Sequence, residues 1–78
     1  MTKEEVYQRV EEIIQEEKGG DFSVRPDLSL NDVAEDSVEI MEFVITLEDE
    51  FSVDVPDAAI ERFEILSDIV DYIYENKK

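Results

Sequence analysis

Between residues 37 and 51 the chain reads SVEIMEFVITLEDEF, and the apolar spacing there leaves little choice of local structure. Ile40, Phe43, Val44, Leu47 and Phe51 fall at i, i+3, i+4, i+7 and i+11, one stripe of a helix with about 3.6 residues per turn. Val6, Val10, Ile13 and Ile14 repeat the period and predict a helix over residues 3–17. A Thr2-x-x-Glu5 capping box opens it, and Gly19-Gly20 closes it, because glycine tolerates a left-handed turn at a helix end. Leu66, Ile69, Val70 and Ile73 predict a last helix over 66–76, with Lys77 and Lys78 at the favourable end of its dipole. Pro56 suits the first turn of a short helix over 56–61. No segment sustains strand alternation. The expected fold is all-α, a small four-helix bundle of three longer helices and one short one.

Residues 19–35 form a long connection with Pro26 and several turn formers. Connections of this length are uncommon in small domains unless they are functional or held down. Phe22, Val24, Leu28, Leu30 and Val33 are the residues expected to pin it to the core, with room for a short helical turn. The 78 residues suit a single domain spanning 1–78. A chain this short buries only about 60% of the surface its unfolded form exposes, so its core must be simple.

Charge sets the chemistry. There are 23 acidic and 7 basic residues, a formal net charge of −16, and no Lys or Arg between Arg25 and Arg62. Nucleic acid is excluded as a natural partner, since phosphates would be repelled, whereas basic protein surfaces are favoured. The 42% hydrophobic content argues against acidic disorder. Without cysteine there is no disulfide or thiolate metal site, and without histidine the usual general base is missing. No apolar run approaches the roughly 20 residues of a membrane span, and no signal-peptide pattern opens the chain. A cytoplasmic monomer without membrane insertion is the expectation.

The helix over 37–51 begins in AEDSVEI. Asp36 and Glu39 are spaced as a cap with Asp36 at the N-cap, which puts Ser37 at the first helical position. On spacing alone two readings stay open. Ser37 or Asp36 merely caps the helix, or Ser37 is an attachment point whose phosphate would sit at the positive end of the dipole. Val38, Met41 and Ile45 lie off the core stripe and are flanked by Glu42, Glu48 and Asp49. Val38 and Ile45 are read as part of a docking face for a basic partner with an apolar cleft, and Met41 as packing beneath the long connection.

These residues resemble a known family. DSVE followed by IMEFVITLEDEF is similar to the D-S-L-[DE] motif and second helix of acyl carrier proteins, VPDAAIERF to their third-helix region and IVDYIYENK to their last helix. Two departures stand beside the motif: Ala34-Glu35 where the family commonly has Gly-Ala, and Val38 in place of leucine. The resemblance implies a four-helix bundle whose apolar interior can shelter an acyl chain. It also implies 4′-phosphopantetheine joined to Ser37 through a phosphodiester, with Asp36 beside it. Docking would then fall to Val38, Glu39, Glu42, Ile45, Glu48 and Asp49. Implied partners are a phosphopantetheinyl transferase (holo-carrier synthase) and the acyltransferases, ketosynthases, reductases and dehydratases of type II fatty acid synthesis. A specialised polyketide carrier or an aminoacyl carrier of the D-alanyl type is the alternative.

The rival classes fit less well. Ser37 lacks the base and oxyanion partners of a hydrolase, so no catalytic residue is assigned and the chain is not expected to be an enzyme. Asp27, Ser29 and Asn31 imitate the start of an EF-hand, but its sixth position is Asp32 and its twelfth Val38, so no specific metal site is assigned. Loose divalent binding to the carboxylates of the 37–51 helix remains an expectation. An acidic mimic of nucleic acid would need the charge but not the serine.

Overall fold

The computed structural model describes residues 2–76. Its regular elements are helices α1 (Lys3–Lys18), α2 (Leu30–Val33), α3 (Ser37–Phe51), α4 (Asp57–Ile60) and α5 (Leu66–Asn76). Among the described residues there is no strand, only one isolated antiparallel bridge between Ser29 and Ile65. The three long helices stand as expected, and the bounds of α3 and α5 match those read from the sequence. The bundle has two short helices rather than one. The extra helix, α2, is a single turn inside the long connection, capped by Ser29 Oγ, which accepts from the Asn31 N–H at 3.3 Å. One turn is too short to display a period, which is why it escapes the spacing argument.

The start of α1 follows the capping-box rule. Glu5 N–H donates to Thr2 Oγ1 at 3.1 Å, and Thr2 N–H donates to Glu5 Oε1 at 2.8 Å. Its end differs in detail from expectation. Gly19 has φ 104° and ψ 151°, so φ is positive but the chain leaves in an extended direction rather than curling into the left-handed helical region. Pro56 is the N-cap of α4, one position before the first turn in which it was expected, and offers no side-chain cap. Lys77 and Lys78 lie outside the described residues.

The core is apolar throughout: among the described residues no polar or charged side chain is buried. Val6, Val10, Ile13 and Ile14 of α1 meet Leu66, Ile69, Val70 and Ile73 of α5, the most extensive contact between helices. Phe43, Val44, Leu47 and Phe51 of α3 complete it, and Ile40 packs against the cluster half-buried. Full burial of one such side chain contributes about 1.5–3 kcal/mol. Of the residues expected to pin the connection, Leu28, Leu30 and Val33 are buried, and Phe22 and Val24 pack partly buried on the core.

Main-chain bonds fix that connection further. Leu66 N–H donates to Leu28 O at 2.9 Å, Leu30 N–H to Glu64 O at 3.1 Å and Ser67 N–H to Pro26 O at 2.8 Å. Tyr7 Oη and Gln15 Nε2 of α1 donate to Val24 O and Phe22 O. At the other end of the molecule α3 closes on Ser52, a left-handed residue without glycine's freedom (φ 55°, ψ 46°). The loop beyond is held by Glu48, whose Oε2 accepts from Val55 N–H at 3.0 Å while Val53 and Val55 turn inward.

Few cations offset the acids. Arg9 reaches Glu12 at 2.8 Å and Glu50 of α3 at 2.9 Å, and Lys3 pairs with Asp71 of α5. The Arg9 hydrogen bond holds the Glu50 carboxyl below its ordinary value of 4.5. A depressed carboxylate stabilises the fold above its unfolded pKa, and that stabilisation is lost as pH falls through the folded value. Arg9→Gln removes the cation and adds to the net negative charge, so both effects lower the melting temperature at neutral pH. The drop is small, because both side chains are about one-third exposed. Thermal melts should show the gap between variant and parent closing as pH falls below 4.5, and a gap independent of pH would contradict this account.

The same charge excess sets a second expectation. Among the described residues no group of three or more acids is placed to hold a metal ion. Divalent cations should nevertheless raise the melting temperature by relieving self-repulsion, and Mg²⁺ or Ca²⁺ should do so more than NaCl of equal ionic strength. Melting unchanged by either ion would remove repulsion as a factor.

Candidate functional site

Ser37 is the first residue of α3 and is exposed. The capping work around it is done by its neighbours. Asp36 Oδ1 accepts from Glu39 N–H at 2.9 Å. The reciprocal half of the box is shifted by one residue: Glu39 Oε2 accepts from the N–H of Glu35 at 3.1 Å, not from that of Asp36. Ser37 Oγ has no hydrogen-bond partner among the described residues, and neither Ser37 N–H nor Val38 N–H has an intramolecular acceptor there. A free hydroxyl thus stands at the positive end of a helix of 15 residues, beside two unengaged donors.

An open cavity of about 450 Å³ adjoins this hydroxyl. Ser37 lies on its lining with Ile40 and Met41 of α3, Leu30 of α2, Ile60 of α4 and Phe63 beyond it. The lining is mainly apolar, with the carboxylates of Asp57 and Glu61 adding negative charge. A free hydroxyl next to an apolar recess suits a ligand with an anionic link and an apolar end. Reasoning from sequence missed the contribution of Leu30, Ile60 and Phe63 to this recess. Ile60 and Phe63 share an i, i+3 spacing directly after Pro56, and that was the available signal.

The expected docking residues are placed unequally. Val38 is 61% exposed and Ile45 53%, and both lie on the same helix as Ser37. Met41 is 43% exposed, which overturns its expected place beneath the connection. The bonds to Glu64, Leu66 and Ser67 draw the connection toward the start of α5 and leave Met41 uncovered. Glu42 and Asp49 are exposed, and their carboxylates have no partner among the described residues. Glu39 is exposed but engaged with Glu35 N–H, and Glu48 is half-buried against Val55 N–H. In the run of Asp27, Ser29 and Asn31, the Ser29 hydroxyl accepts from Asn31 N–H and caps α2. No described helix is long and apolar enough to cross a membrane.

The geometry has counterparts. The family profile described as "Phosphopantetheine attachment site" matches residues 6–73, nearly the full chain. The acyl carrier protein of Cyanidioschyzon merolae is 34% identical over 80 aligned positions, covering 100% of this chain and 88% of that protein. The acyl carrier protein of Guillardia theta is 36% identical over 75 positions, covering 94% and 93%. The solved structure of the Enterococcus faecalis acyl carrier protein superposes with a TM-score of 0.77 at 40% identity, covering 99% of this chain and 100% of that one. Helix architecture, the match along the whole length and the attachment-site profile agree, and this chain belongs to the acyl carrier protein family, whose members carry a covalently attached 4′-phosphopantetheine.

Proposed function

We propose that this chain bears its 4′-phosphopantetheine on Ser37 and presents acyl groups, held on it as thioesters, to the enzymes of fatty acid synthesis in the cytoplasm. The observation that carries the reading is the uncommitted Ser37 hydroxyl at the start of α3, bordering an apolar recess. When bound, the group supplies the thiol that forms the thioester. The protein's own residues do the rest without bond chemistry of their own. Asp36 caps α3 and so keeps Ser37 accessible. The N–H groups of Ser37 and Val38 favour a phosphate oxygen there. The recess lined by Ile40, Met41 and Ile60 offers apolar surface to the cargo.

Docking falls to the exposed part of α3. Val38 and Ile45 supply apolar contact, and Glu39, Glu42 and Asp49 supply charge for a basic partner such as a phosphopantetheinyl transferase, an acyltransferase, a ketosynthase, a reductase or a dehydratase. Glu48 contributes to the field of that face while its carboxylate holds the following loop. A carrier must leave each enzyme quickly, so steering charge with modest contact area is the appropriate means.

Two outcomes test this reading. Incubated with coenzyme A and a phosphopantetheinyl transferase, the parent should gain the mass of one arm, and Ser37→Ala should gain none while keeping its helical circular dichroism. A Ser37→Ala protein that still gains the arm would falsify the assignment. Association with a basic partner enzyme should weaken with added salt, and Glu42→Gln with Asp49→Asn should reduce both the on-rate and its salt dependence. Equal on-rates for parent and variant would separate the acidic face from docking.

A further inference from the structure

We infer that Phe63 limits the length of cargo this carrier shelters. The inference rests on the attachment at Ser37 proposed above and concerns the far boundary of the recess beside it. Phe63 follows α4 and is half-buried. Its ring lines the 450 Å³ cavity that Ser37 adjoins. It also lines a separate groove of about 280 Å³ formed with Pro56, Ala59, Arg62 and Tyr72. Helix α4 stands between the two, with Asp57 and Ile60 on the cavity and Ala58 and Ala59 on the groove, and Phe63, alone among the described residues in lining both, completes the partition beyond the helix end.

The partition is fixed from several sides. Tyr72 of α5 meets Phe63 edge-to-face, with ring centroids 5.8 Å apart and planes at 69°. Tyr72 Oη in turn donates to Asp54 O at 3.4 Å, which ties the second ring to the loop before α4. The main chain on both sides of Phe63 is also held. Phe63 N–H donates to Ile60 O at 3.2 Å, and Asp68 Oδ2 accepts from the N–H groups of Glu64 and Ile65. A ring anchored in this way is a wall rather than a mobile side chain. Beyond it the groove offers further apolar surface from Pro56 and Ala59, which an alkyl chain would reach only if the ring were removed.

Each methylene that passes from water into apolar surroundings changes the ratio of sheltered to exposed chain by about fourfold at most. A series of cargo lengths should therefore show protection rising with length and then levelling where the chain meets Phe63.

The test loads parent, Phe63→Ala and Phe63→Leu with saturated acyl arms of increasing length, transferred from acyl-coenzyme A. It measures the rate at which hydroxylamine cleaves the thioester. In the parent the rate should fall with length and then level. In Phe63→Ala it should keep falling beyond that length, by up to about fourfold per added methylene, with Phe63→Leu intermediate. Phe63→Leu retains a branched apolar side chain and serves alone if the alanine variant does not fold. A second readout is independent of cleavage: the Tyr72 ring resonances should move with the longest cargoes in the variants and not in the parent. Levelling at the same length in all three proteins overturns the inference and leaves the attachment intact. Absence of the arm from Ser37 by mass overturns both.

Discussion

The three main-chain hydrogen bonds between residues 26–30 and 64–67 are the constraint on which the rest of this molecule depends. A connection of this length exposes many peptide groups, and those it turns inward must find partners. Here the start of α5 provides them. In exchange α5 gains a fixed entry, reinforced by Asp68, which accepts from the two N–H groups just before the helix. Leu28, Leu30 and Val33 are then carried into the core by backbone geometry as well as by their own apolarity. The same bonds decide what stays open: a connection held toward α5 does not cover Met41, and the recess beside Ser37 is left accessible.

The acids of this chain divide into those that hold the fold and those that face outward. Asp36, Glu39, Glu48 and Asp68 spend their carboxylates on backbone N–H groups, where a negative acceptor is stronger than a neutral one. Glu50 and Asp71 are taken by Arg9 and Lys3, which join α1 to α3 and α5. Glu42 and Asp49 have no such engagement among the described residues, so the field they project is available to a partner. A net charge of −16 therefore overstates the charge that is free to steer. The engaged carboxylates still contribute at long range, but screening at physiological salt confines that reach to about 8 Å.

The long helices were legible because each repeats an apolar period over about two turns or more. Bounds for α3 and α5 could be read directly, since Asp36 and the Leu66–Ile73 stripe mark their limits. The turn at Leu30–Val33 could not, because a single turn capped by Ser29 offers only one i, i+3 pair. Left-handed Ser52 was equally hidden: nothing in its side chain announces that conformation, and it is imposed by the loop that Glu48 holds. At the site, the serine and its cap were visible in four residues, whereas the recess was not. Leu30, Ile40 and the Ile60–Phe63 pair come from three separate segments, and tertiary packing brings them to one place. Met41 was misplaced for the same reason, since its cover depends on where a distant connection is tied.

The division of labour between Asp36 and Ser37 has a consequence for how such a protein can be used. Because the cap of α3 is made by Asp36, which accepts from Glu39 N–H, and by Glu39, which accepts from Glu35 N–H, the serine hydroxyl holds nothing in place. Esterifying it removes no hydrogen bond from the fold, and releasing the ester leaves no donor stranded. Under the attachment proposed at Ser37, adding or removing the arm would therefore leave the capping bonds of α3 as they are.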